Sequence, residues 1–67
     1  MKQKWIVYKE IRNGTPKPER WYYGCYDDRD YANEVAQDLG SDYPESHSVC
    51  KLEDAKKFNI KNLPFWL

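Results

Sequence analysis

Trp21-Tyr22-Tyr23-Gly24-Cys25-Tyr26-Asp27-Asp28-Arg29-Asp30-Tyr31 is the stretch in which this chain changes period. Its first six residues are aromatic, thiol or glycine, a composition suited to a pleated and well-covered strand. Three acids among the next four then mark a helix start. Asp27 or Asp28 can accept from the orphan N–H groups of a first turn, and further carboxylates sit at the positive end of the helix dipole. The stretch therefore predicts a strand running directly into a helix.

Downstream, Tyr31, Ala32, Val35, Ala36 and Leu39 recur at helical spacing and form one apolar stripe, opposite a polar and mostly acidic side. The helix is expected from about Asp28 to Leu39, with Gly40 as the left-handed residue that stops it. Ser41-Asp42-Tyr43-Pro44-Glu45 is then a turn, and residues 46 to 52 alternate weakly as a third strand at a sheet edge. Residues 53 to 60 open with acids and carry lysines later, which predicts a short helix.

Upstream, residues 4 to 11 are β-branched and aromatic and read as the first strand. Alternation places Trp5, Val7, Lys9 and Ile11 on one face and Ile6, Tyr8 and Glu10 on the other. Both faces begin apolar, so this strand is expected to be central. Residues 12 to 20 connect it to the second strand. Asn13-Gly14 signals a turn, and Pro16 and Pro18 cannot donate to a ladder. In the second strand, strict alternation groups Trp21, Tyr23 and Cys25 against Tyr22, Gly24 and Tyr26. Gly24 suggests either a close approach of the helix or a bulge.

These elements define an α+β fold: a ββαβ core with a three-stranded, mostly antiparallel sheet, one main helix on one face, and a short C-terminal helix. The expected sheet order is second, first, third strand, which the crossover rules favour; the alternative places the second strand centrally. At 67 residues the chain is read as a single domain. So small a domain depends on large side chains for its core, and three Trp, six Tyr and two Phe meet that need.

Formal net charge is zero, which argues against a protein held on nucleic acid or an anionic membrane by bulk electrostatics. The charge is unevenly distributed. Residues 1 to 20 carry six basic and two acidic side chains, residues 21 to 48 one and seven, and residues 49 to 67 four and two. Two cysteines are too few for a disulfide framework, and the apolar run after Met1-Lys2-Gln3-Lys4 is short for a signal core or a span. A cytoplasmic location with reduced thiols is the expectation.

No catalytic constellation emerges. The only imidazole, His47, lies three residues from Cys50, so the two side chains of a strand would point to opposite faces. Cys25, His47 and Cys50 lack zinc-ligand spacing, the acids at 27, 28 and 30 lack a calcium-loop glycine, and the glycines are isolated. Neither a cofactor nor a small-molecule substrate is indicated, and an enzyme is not expected.

What exceeds architecture is the number of aromatics. One helix covers one sheet face, leaving a set such as Trp5, Trp21 and Tyr23, or Tyr8, Tyr22 and Tyr26, on the other. Arg12, Lys17 and Arg20 place positive charge on the connection, and the tail Leu63-Pro64-Phe65-Trp66-Leu67 is strongly apolar. The expected function is protein binding or homodimerisation through sheet aromatics, with Trp5, Arg12, Lys17, Arg20, Trp21, Tyr23, Phe65 and Trp66 as candidate contacts. The alternative is a binder of single-stranded nucleic acid that combines the basic connection with exposed aromatics. Leu63, Phe65 and Trp66 are expected to fold back over the otherwise bare sheet face.

Overall fold

The computed structural model describes residues 3–12, 14, 16–42 and 44–67. Strand β1 (Trp5–Ile11), strand β2 (Glu19–Tyr26), helix α1 (Arg29–Leu39), strand β3 (Glu45–Lys51) and helix α2 (Leu52–Ala55) follow in that order. The sheet order is β2-β1-β3, and both outer strands run antiparallel to β1. The expected α+β fold and strand order are those observed.

Apolar, β-branched residues explain why β1 is central. Ile6 and Val7 are fully buried on opposite faces, Ile6 within one cluster and Val7 within the other. Val7 packs with Ala32 and Ala36 of α1, flanked by Trp5, Tyr26, Val35 and Val49. Two alanines bring the helix axis close to the sheet. The buried stripe is narrower than its spacing suggests, because Tyr31 and Leu39 lie at its margins and remain exposed. Tyr31 instead meets Tyr26 edge-on, at 5.3 Å between ring centroids.

The helix ends are set by the residues read as caps. Asp28 is the N-cap, and its carboxylate accepts from the Asp30 N–H at 3.3 Å. Gly40 ends the helix with φ 81° and ψ 177°, a region essentially confined to glycine and distinct from the left-handed helical cap expected. Its N–H donates to the Gln37 carbonyl at 3.1 Å.

Strict alternation fails in β2. Val7 lies opposite Gly24 and Tyr8 opposite Tyr22, so Tyr23 is the extra residue of a β-bulge. Parity reverses there. Cys25 and Tyr22 share the face of Ile6 and Tyr8, while Gly24 and Tyr26 share that of Val7, so the grouping of Trp21 and Tyr23 with Cys25 is corrected. Of the two features inferred for Gly24, the bulge is found beside it, whereas its close neighbour is Tyr26 of its own strand rather than the helix. A Cβ there would stand 2.7 Å from the Tyr26 hydroxyl.

The face away from α1 is covered by the C-terminal segment. Ala55 and Ile60 are buried against Ile6, Tyr8 and Cys50, with Leu52, Leu63 and Leu67 packed around them. Helix α2 is shorter than the expected 53 to 60. Its cap is followed by a turn, and Asn59 (φ 56°) and Asn62 (φ 64°) then adopt positive φ, which ends any helix and reverses the chain toward β2. Lys61 then bridges the β2 edge, donating its N–H to the Arg20 carbonyl at 2.7 Å and accepting from the Tyr22 N–H at 2.9 Å. The tail expectation needs correcting in part. Leu63 and Leu67 fold back, whereas Phe65 and Trp66 do not.

Candidate functional site

Two of the three basic residues read as the β1–β2 connection, Arg12 and Arg20, converge on an acid. Glu10 sits on the same face as Ile6 and Tyr8 and is 7% exposed. An ionised carboxylate at such a place must be paired. Arg20, opposite it on β2, donates Nε to Oε1 at 3.1 Å, and Arg12 donates Nε to Oε2 at 2.9 Å. Burial acts to raise the carboxyl's pKa, and the hydrogen bonds from the two guanidiniums together outweigh it, holding Glu10 below the ordinary carboxylate range.

Arg20 also fastens the C-terminal segment. Its guanidinium lies 5.4 Å from the Phe58 ring centroid and donates to the Phe58 carbonyl at 3.4 Å, while Phe58 meets Tyr8 edge-on. Arg12 and Arg20 are thus structural partners of Glu10 before they are contacts for anything else. Lys17 lies on the exposed connection, whose Asn13 and Thr15 fall outside the described residues.

Trp5 and Trp21, proposed from sequence as an open platform, are both half-buried and covered by cations. The Arg29 guanidinium stands 5.8 Å from the Trp5 ring, and the Lys61 ammonium 5.1 Å from Trp21. Lys61 also donates to Glu19 at 2.8 Å, which is the main reason that carboxyl titrates below its usual range. The Trp21 indole N–H is buried without a hydrogen bond of good geometry, though it lies near enough to Glu19 to add to that lowering.

Of the candidate aromatics, those that remain open are Tyr23, at the bulge and 52% exposed, and the two of the C-terminal turn. Phe65 is 98% exposed and Trp66 68%. They are not on a loose end. Leu63 before them and Leu67 after them pack against the lower core, and the Leu67 N–H closes the turn on the Pro64 carbonyl at 3.2 Å. Fixing both flanks presents Phe65 and Trp66 outward together. The spacing of Ile60, Leu63 and Leu67, three and then four residues, was the available signal for which tail residues pack.

The thiols and the imidazole stay apart. Cys25 and Cys50 both lie opposite Ile6, one on each neighbouring strand, so their Cα atoms are about 10 Å apart. That exceeds the reach of a disulfide. Cys50 is buried, and burial, followed by the charge of Asp54, pushes its thiol up to about 11. His47 is on the opposite face from Cys50, with Nδ1 2.8 Å from the Gly40 carbonyl oxygen. Among the described residues no three His, Cys, Asp or Glu side chains converge as a metal site would require, and no helix is long and apolar enough to cross a membrane.

A shallow depression of about 490 Å³ curls around β3, lined by Trp5, Arg29, Asn33 and Val49 on one side and Tyr8 and Phe58 on the other. Cys50, Lys51 and Asp54 line it as well, and burial together with the Asp54 charge keeps that thiol protonated rather than activating it.

No family model matches the chain, and no curated protein or solved structure is significantly similar to it.

Proposed function

We propose that this chain is a non-enzymatic, cytoplasmic binding module that docks a protein partner through the turn at residues 64–67, with Phe65 and Trp66 entering an apolar pocket of that partner. The observation that carries this reading is the contrast within five residues: Leu63 and Leu67 are packed, while Phe65 is 98% and Trp66 68% exposed. Exposed aromatics of this size placed side by side are the usual anchors of protein interfaces. A turn already closed by packing and by a backbone hydrogen bond loses little further freedom on binding.

Tyr23 is a secondary contact in this reading, and the tryptophans of the sheet are not contacts. A single-stranded nucleic-acid partner is less well supported, because Glu10 engages two of the three cations that reading relies on and cancels one of their two charges. The test is photo-crosslinking from position 66 in source cells. A discrete protein adduct is expected, displaced by excess unlabelled chain and not by the Phe65→Ser/Trp66→Ser variant. Adducts to nucleic acid, or equal displacement by the variant, would overturn the reading.

A further inference from the structure

We infer that the free edge of β3 is the seam of a two-fold homodimer, in which the β3 strands of two copies pair antiparallel about Ser48. The ladder between β1 and β3 shows which backbone groups are available. It is extended by Arg12 N–H to Pro44 O at 2.8 Å and Leu52 N–H to Lys4 O at 3.0 Å, so the even-numbered residues of β3 bond inward to β1. The N–H and C=O groups of Glu45, His47 and Val49, and the N–H of Lys51, therefore point outward, while the Lys51 carbonyl is taken up as the N-cap of α2. Of these, the Glu45 N–H is taken by the Asp42 carbonyl at 2.7 Å; among the described residues no strand or segment pairs with His47 or Val49 on that side. The opposite edge of the sheet is different, since Lys61 covers β2 there.

The occupant is specified by the strand itself. Glu45-Ser46-His47-Ser48-Val49-Cys50-Lys51 begins with an acid and ends with a base, both exposed, with Glu45 in only a loose 3.8 Å ion pair with Lys9 of its own chain. Antiparallel pairing about Ser48 sets Glu45 against Lys51 of the second copy, and His47 against its Val49. All four of these residues are the outward-pointing ones, so this register satisfies the hydrogen-bonding pattern as well as the charges. It forms roughly six backbone hydrogen bonds and an ion pair at each end. Parallel pairing of two copies in register would set Glu45 against Glu45 and Lys51 against Lys51.

The two-fold axis stands perpendicular to the sheet, giving six strands in the order β2-β1-β3-β3-β1-β2. Both α1 helices then lie on the same face. Each rests over β1 and β3, so their axes come about 10 Å apart, an ordinary packing distance. Arg29 and Asn33, which line the β3 side of α1, make that helix contact polar, and the ladder rather than a hydrophobic seam holds the dimer.

Sedimentation velocity on the full chain, with concentration raised about a hundredfold, reads the monomer–dimer balance. Wild type is expected to shift toward dimer. Lys51→Glu alone and Glu45→Lys alone each set like charges at both ends and should stay monomeric, while an equimolar mixture of the two variants should dimerise again. A wild type that stays monomeric throughout, a dimer that survives either single change, or a mixture that fails to recover would overturn the inference. Amide exchange needs no variant: the His47 and Val49 N–H groups should become protected with rising concentration while those of Ser46, Ser48 and Cys50 stay protected throughout. Unchanged exchange at His47 and Val49 would also overturn it. Phe65→Ser/Trp66→Ser should leave the dimer intact, so this seam and the partner turn fail or succeed separately.

Discussion

Arg20 lies directly opposite Glu10 across the β1–β2 ladder and donates Nε to its buried carboxylate at 3.1 Å, while its backbone carbonyl and guanidinium hold Lys61 and Phe58. One residue thus joins the strand pair to the segment that covers it. Replacing Glu10 by Gln keeps the shape and removes the charge that orients both arginines. The melting midpoint should fall by the equivalent of about 1 to 3 kcal/mol, the usual range for a charge-assisted buried hydrogen bond. Thermal unfolding at pH 7 checks this.

The same pair fixes a pH dependence. Glu10 has a lowered pKa in the folded chain, so its contribution is fully present above its ordinary value of 4.5 and is lost as the pH falls through its folded value. The gap in urea midpoint between wild type and Glu10→Gln should therefore be largest near neutrality and close below pH 4.5. A gap that widens in acid would contradict the assignment.

The tail separates into anchors and displayed side chains. Leu63→Ala removes half-buried apolar surface and should cost about 1 to 2 kcal/mol, or roughly 5 to 15 °C in melting midpoint. Phe65→Ser should change stability by no more than about 0.5 kcal/mol, because that side chain is 98% exposed; Trp66, 68% exposed, keeps about a third of its surface covered, so Phe65→Ser/Trp66→Ser should cost more than Phe65→Ser alone and still less than Leu63→Ala. Differential scanning calorimetry of the variants side by side distinguishes them.

Much of the fold was legible because its signals are local. Asp28 and Gly40 bound α1 as caps, and the two-faced apolar start of β1 placed it centrally. The bulge was only half legible. Gly24 signalled an irregularity, but that Tyr23 is the extra residue depends on the register with Val7 and Tyr8 across the ladder, which β2 alone does not contain. The candidate surface was harder to read for the same reason. Arg12 and Arg20 look available in a list of charges, and only the approach of Glu10 shows that they are engaged. In the tail, Leu63, Phe65 and Trp66 were expected to fold back together; Leu63 does, along with Leu67, while the turn between them holds Phe65 and Trp66 outward.

Gly24 and Tyr26 should be energetically coupled. A methyl at position 24 would meet the Tyr26 ring at 3.0 Å and its hydroxyl at 2.7 Å, and that ring is packed against the α1 face. Gly24→Ala is expected to cost about 1 to 3 kcal/mol, as overpacking does, and to cost less in a Tyr26→Leu background. A double-mutant cycle measured by chemical denaturation reads the coupling.

The central claim is that Phe65 and Trp66 are held out by their packed neighbours to engage a protein, and competition for the adduct formed from position 66 tests it most directly. Excess wild-type chain should abolish the adduct, Glu10→Gln should compete nearly as well at a temperature where it is folded, and Phe65→Ser/Trp66→Ser should not compete. A folded Phe65→Ser/Trp66→Ser chain that competes as effectively as wild type would contradict the account.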